Sequence, residues 1–335
     1  MRAASTRRGV ACAGNWIVDI VHTIEAWPAK SDLVRILDEV EGTGGGAANV
    51  MLSLAAFRAG LPLWAIGLVG MDRHAATVRW AVAGAGAGLD HLAETDRAPT
   101  AHTHVMNLPG DSRTFFYHPG TNDLLDEGDI AVEAVAEAGA RVFYLGYLNL
   151  LGRLDVVEGG SSGAARVLAR ARAAGMVTVA DLVSTDRAGF AEAVAAALPH
   201  LDVLFLNESE AARATGLAVA GADDLAGITA AAERLRAGGA GAVVVHTPAL
   251  GLWLSAGGVM VLRPDPVAAA DVVSPVGAGD AFAAGCIYGL HEGWGPEDCL
   301  RLGHRAAAWS LRGATATGAI PPLERLMDHS SPGTP

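Results

Sequence analysis

Lysine is almost missing: Lys30 is the single one in 335 residues, so nearly all positive charge is arginine. A Walker-type loop needs Gly-x-x-x-x-Gly-Lys-Ser/Thr, and Lys30-Ser31 follows Pro28-Ala29, which excludes that way of holding a triphosphate. Any phosphate site must use backbone amides, arginine and metal. Cysteine is scarce too. Cys12, Cys286 and Cys299 are far apart with no Cys-x-x-Cys pair, which argues against a disulfide framework or a zinc cage and reads as reduced core thiols. No apolar run approaches membrane-spanning length, and residues 1–8 lead into a strand without a secretion core. A soluble, cytoplasmic protein with no membrane partner is expected. The net charge of −12 leaves no basic face for nucleic acid, so small anionic ligands need local cradles.

What the chain does have is alternation. Residues 10–21 read as strand, 47–59 as helix, 63–69 as strand and 75–88 as helix. Strands recur near 142–145, 176–182, 203–206 and 242–245, with alanine-rich helical segments between them. Apolar strands separated by helices imply an α/β fold with a mostly parallel sheet covered on both faces, binding ligands at the carboxyl ends of its strands. Segments 24–40 and 100–119 break this pattern. Polar and apolar residues alternate there, as in His102-Thr103-His104-Val105-Met106, and predict extended strands of one small sheet.

The densest chemistry lies at Val272-Val273-Ser274-Pro275-Val276-Gly277-Ala278-Gly279-Asp280, a β-like run that breaks into glycines and enters a helix. Two glycines let successive N–H groups turn toward one point, and the helix adds its positive end. Asp280 has two readings: a carboxylate capping the helix, or a general base beside a bound phosphate. A nicotinamide-dependent oxidoreductase is a poor reading. Residues 42–46 lack Gly-x-Gly-x-x-Gly spacing, and Asp90 comes too late to be a ribose acid.

The 272–280 segment resembles the second signature of the ribokinase-like (PfkB-type) carbohydrate kinases. Gly44-Gly45-Gly46-Ala47-Ala48-Asn49-Val50, followed by Gly67-Leu68-Val69-Gly70-Met71-Asp72, is similar to the first. Gly14 and Asp19, Arg113-Thr114-Phe115, Gly120-Thr121-Asn122 and Asn207-Glu208-Ser209-Glu210 continue the resemblance, which runs from about 10 to about 323. It implies a ribokinase-like three-layer α/β/α domain over 1–327 with a small β-sheet lid at about 20–42 and 98–122. Residues 328–335 are expected as a loose tail. Such lids expose strand edges, so a homodimer through the lid is expected.

The implied activity is ATP-dependent transfer of the γ-phosphoryl group to a hydroxyl of a small neutral sugar or sugar-like acceptor. Alternatives on the same fold are a nucleoside kinase or a catalytically silent sugar-binding protein. By resemblance, Asp280 is the base and Gly277, Ala278 and Gly279 form the anion hole. Asp19, Gly45, Gly46, Asn49, Arg113 and Asn122 take the acceptor, and Asn207, Thr247, Gly251 and His304 take the nucleotide. Asn207 and Glu210 serve Mg2+ through water. Three departures narrow this. Ser274-Pro275-Val276 replaces the family's acid and threonines, so potassium activation does not carry over. Ala75 and Pro248 stand where glycine is usual, and Gly46-Ala47 lacks the lysine of members acting on phosphorylated sugars, which favours a neutral acceptor.

Overall fold

The computed structural model describes residues 7–109 and 113–328. In chain order its strands are β1 (Val10–Gly14), β2 (Ile17–Ile24), β3 (Ile36–Gly44), β4 (Leu63–Gly70), β5 (Gly88–Thr95), β6 (Ala101–Asn107), β7 (Thr114–His118) and β8 (Val142–Leu148). A short hairpin, β9 (Val157–Glu158) and β10 (Ser161–Ser162), precedes β11 (Val177–Leu182), β12 (Val203–Leu206), β13 (Ala242–His246), β14 (Gly251–Ser255) and β15 (Gly258–Leu262). The helices are α1 (Gly46–Ala56), α2 (Arg73–Gly84), α3 (Val132–Glu137), α4 (Gly163–Ala173), α5 (Phe190–Ala197), α6 (Glu208–Thr215), α7 (Leu225–Ala237), α8 (Ala278–Glu292), α9 (Pro296–Ser310) and α10 (Leu323–Met327).

Among the described residues, one sheet has nine strands in the order β15-β14-β13-β12-β11-β8-β1-β4-β5. The strands from β13 to β5 run parallel, and β14 and β15 extend the sheet as antiparallel neighbours. Side chains alternate between its faces. Val10 and Cys12 of β1 join the apolar cluster that holds α1, α2, α8 and α9, whereas Ala11 and Ala13 join that of α3 to α7. Helices therefore cover both faces, giving the three layers. Cys12, Cys286 and Cys299 are buried free thiols. No helix among the described residues is long and apolar enough to cross a membrane.

A second sheet has the order β3-β2-β6-β7, with β2 parallel to β6 and the outer pairs antiparallel. Its back packs on α2, since Val18 and Ile20 share a core cluster with Ala75 and Val78. Asp72 fixes the junction. Its carboxylate accepts from Ala75 N at 2.9 Å at the start of α2, and from Thr100 N at 2.7 Å and Thr100 Oγ1 at 2.8 Å just before β6.

Two sequence expectations are corrected. Residues 10–21 form two strands in different sheets, because the chain leaves the main sheet at Asn15 and Trp16, where Trp16 Nε1 donates to Ile66 O at 2.8 Å. Asp19 therefore lies within β2 of the small sheet and not on a single strand running from 10 to 21. Residues 272–276 are not a strand. Val273 N and Ser274 N both donate to Leu311 O, at 2.8 and 3.0 Å, and Pro275 has no N–H with which to continue a ladder. Residues 329–335 of the expected tail, and 110–112 of the second lid segment, lie outside the described residues.

Candidate active site

A cavity of about 1040 Å³ lies between the front of the small sheet and the carboxyl ends of β8, β11, β12 and β13. Of the residues expected at a site, Asp19, Gly45, Asn49, Arg113, Asn207, Glu210, Gly277, Gly279 and Asp280 line it, arriving from segments far apart in sequence. Ala278 opens α8 between the two cradle glycines. Gly46 opens α1 beneath the wall, packed against Tyr144 and Tyr147. Asn122 stands behind it, donating from Nδ2 to Tyr117 Oη at 2.9 Å. Thr247, Gly251 and His304 are not brought to this wall. The Thr247 hydroxyl is engaged with backbone of Ala222, Ala249 and Leu250, and His304 Nε2 lies 3.1 Å from Leu262 O, with Gly251 against its ring.

Asp280 sits in the first turn of α8, yet its hydrogen bonds come from other elements. Asn49 Nδ2 donates to Oδ2 at 2.9 Å, and Tyr147 Oη donates at 2.8 Å to each oxygen. The capping reading thus gives way: Gly277 is the N-cap, in a left-handed conformation at φ 81°, and no side chain caps the helix there. Glycine is needed at 277 because a Cβ would meet Ala316 Cβ at 2.3 Å as well as straining the backbone. Helical bonding begins with Ala281 N to Gly277 O at 2.9 Å; Ala278 N donates to Pro275 O at 3.3 Å, while Gly277 and Gly279 stand at the cavity's edge.

Burial pushes the Asp280 carboxyl up to about 7; hydrogen bonds from Tyr147 and Asn49 oppose this, and the charges of Asp19 and Glu210 reinforce it. Burial likewise raises Asp19 to about 6, against a hydrogen bond from Thr103. Asp181, at the end of β11, is raised by burial and by the charge of Asp280. Its Oδ1 and the facing Tyr144 hydroxyl are buried without a well-formed hydrogen bond. On the opposite wall Asn207 and Glu210 form a capping box, Glu210 N donating to Asn207 Oδ1 at 2.8 Å and Asn207 N donating to Glu210 Oε2 at 2.9 Å. Ser184 Oγ adds a bond to Glu210 Oε1 at 2.9 Å.

Tyr147, Asp181 and Ser184 escaped the sequence reading. Their signal is a polar residue interrupting an apolar run at, or just beyond, the carboxyl end of a parallel strand, where α/β sheets bind ligands. Among the described residues no group of three or more His, Cys, Asp and Glu is arranged to hold a metal ion. Arg113 spans the cavity: Nε donates to Asn107 Oδ1 at 3.1 Å and Nη1 to Ser274 Oγ at 2.5 Å, joining the small sheet to the loop that feeds the glycines.

The sequence matches the pfkB family carbohydrate kinase profile over residues 7–323. The chain belongs to the pfkB family of carbohydrate kinases. Over 317 residues it is 27% identical to ribokinase of Arabidopsis thaliana, covering 92% of this chain and 77% of that protein. The structure of Arabidopsis thaliana ribokinase complexed with ribose and ATP has a TM-score of 0.79 at 23% identity, covering 96% of this chain and 98% of that one. Fructokinase with bound ATP from Xylella fastidiosa gives 0.75 at 20% identity, covering 96% and 97%. As a pfkB carbohydrate kinase, the chain is a phosphotransferase with an alcohol group as acceptor.

Proposed function

We propose that this pfkB kinase moves the γ-phosphoryl group of ATP to a hydroxyl of a small neutral sugar, with Asp280 as general base. The observation that carries this reading is the Asp280 carboxylate, held inside the cavity by Asn49 and Tyr147 at the head of a helix whose flanking Gly277 and Gly279 line the same space. An acceptor clamped by Asp19 and Asn49 would lie between the small sheet and that carboxylate. The base takes the proton late, as the bond to phosphorus forms, and the Gly277–Gly279 amides bear the charge on the transferring group. Holding both reactants in line is the larger part of the work. The small sheet acts as a lid that excludes water, and Arg113 ties it to the phosphate loop.

Magnesium fits as an ion that arrives with the nucleotide. The described residues build no cage of their own, and Asp181 Oδ1 is buried without a good partner in the same cavity. Asn207 and Glu210 already satisfy each other, so they would reach the ion through water, and the ion would neutralise triphosphate charge that no lysine can. The Ser274 hydroxyl already accepts from the Arg113 guanidinium, which supports a kinase independent of potassium.

A panel of neutral sugars and nucleosides, read by ADP release with magnesium and with excess chelator, tests the reading. Turnover of a neutral sugar that chelation abolishes is the expected result; full activity in chelator, or a nucleoside as sole acceptor, overturns the corresponding part. Leu33 is 90% exposed, and Trp27, Ile36 and Leu37 are also exposed around it, which supports a homodimer through the lid. Light scattering of a Leu33→Glu, Leu37→Glu variant is expected to give a monomer where the parent gives a dimer.

A further inference from the structure

Tyr147, near the carboxyl end of β8, touches the base in an unusual way. Its hydroxyl lies 2.8 Å from both Oδ1 and Oδ2 of Asp280. A donor set across both oxygens fixes the roll of a carboxylate, which a donor to one oxygen leaves free. Asn49 adds its bond to Oδ2 alone. Oδ2 thus carries two donors and Oδ1 shares one, so Oδ1 has the spare capacity for an acceptor's proton. The ring is fixed as well: a Cβ on Gly46 would meet its carbons at 2.9 and 3.0 Å, so bare backbone at 46 is what lets the phenol lie there.

We infer that Tyr147 is a positioning residue for the base: it turns the Asp280 carboxylate so that Oδ1 faces the acceptor and favours its ionised form. The effect on turnover rests on the kinase reading; the hydrogen bond does not. The surroundings explain why such a donor is needed. Asp19 from β2, Asp181 from β11 and Glu210 from α6 share the cavity with Asp280, and all are acids. His246 from β13 offers no compensating charge, because burial and the neighbouring His304 lower it to about 4. Burial, and then the charges of Asp280 and Asp181, hold the Tyr147 hydroxyl far above its ordinary range, so it remains a donor at any working pH; Tyr144 behaves alike. Removing the Tyr147 bond raises the Asp280 carboxyl further, since that bond is the leading influence lowering it.

Tyr147→Phe keeps the ring and deletes the donor. With carbon-13-labelled aspartate, the Asp280 carboxyl signal, identified by its loss in Asp280→Asn, is followed through a pH titration of the protein without substrate. The midpoint is expected to move up by about one pH unit in Tyr147→Phe. An unmoved midpoint overturns the proposal. In turnover, the acid limb of kcat against pH should move in the same direction, with activity recovering toward alkaline pH and KM for ATP unchanged. A uniform loss across the pH range would mark a merely structural tyrosine and also overturns it. Gly46→Ala, which keeps the hydroxyl but displaces the ring and so pulls that hydroxyl away from Asp280, is expected to raise the same midpoint and covers the case in which Tyr147→Phe fails to fold. If the midpoint shifts but the parent phosphorylates no acceptor, the kinase reading fails and the positioning of Asp280 stands.

Discussion

The two faces of the small sheet carry opposite chemistry on neighbouring residues of the same strands. In front, Asp19 of β2 stands beside its cross-strand partner Thr103 of β6, facing the cavity. Behind, His22, His102 and His104 meet His74 of α2 and His118 of β7, with ring centroids 5.2 Å apart for His22 and His104, 5.1 Å for His74 and His102, and 4.9 Å for His102 and His118. In front, burial raises Asp19 and, across the cavity from the sheet, Asp280 of α8. Behind, burial lowers His74, helped by the positive charges of Arg73 and His102 and opposed by Glu41 and Asp72. Burial also lowers His104, helped by His22, His102 and Arg73 and opposed by Glu39.

Both faces resist charging, yet they respond to pH with opposite signs. A raised carboxyl binds its proton more tightly when folded. Its contribution to stability is fullest below the ordinary value of about 4 and is lost as pH rises through the folded values, about 6 for Asp19 and about 7 for Asp280. A lowered histidine contributes most above its ordinary value of about 6.5, and that stability is lost as pH falls below it. A period of two along one strand thus separates the strain of a working site from the attachment of the sheet to α2.

Asp280→Asn should break the comparison most deeply. Loss of a general base costs about 10²–10⁴-fold in kcat, while Tm at neutral pH is expected to hold or rise, because a buried group that resists ionisation has been removed. A wild-type kcat in the folded variant would end the proposed catalytic role of Asp280. Asp19→Ala comes next, lowering kcat/KM for the acceptor by about 10–100-fold through both a higher KM and a lower kcat; an unchanged KM removes Asp19 from the site.

His104→Phe sharpens the contrast from behind. Its kcat should stay close to wild type, and its loss of Tm between pH 7 and pH 5 should be smaller than the parent's, whereas the loss in Asp280→Asn should be larger. Equal losses in scanning calorimetry would show that the faces do not oppose each other. The smallest effect is expected from exchanging sodium for potassium, which should leave kcat unchanged because Ser274 already binds the Arg113 guanidinium.

Much of this was legible because motifs are local. The glycine turns around 45 and 277, with Asn49 and Asp280 a few residues on, are read directly, and the cavity collects them. Runs that are mostly apolar were harder. Residues 10–21 hide the departure at Asn15 and Trp16, and 272–276 have strand composition but are pinned to Leu311. The Asn207–Glu210 box could be anticipated as a helix start, whereas the position of Tyr147 against Asp280 could not. Those residues are 133 apart in sequence, and only the order of strands brings them together. The histidine cluster is similar: the alternation at 102 and 104 is visible, but its contact with His22 spans 82 residues.

Asn49 commits its amide N–H to Asp280 and keeps Oδ1 buried with no partner among the described residues. On the proposed reading, a dry carbonyl of that kind would vet the acceptor. A compound of the right outline but without a hydroxyl at that point would leave it dry and forgo about 1–3 kcal/mol. A compound whose hydroxyl reached the carbonyl would satisfy it and lie next to Asp280 in the same act, so admission and activation would be decided by one side chain.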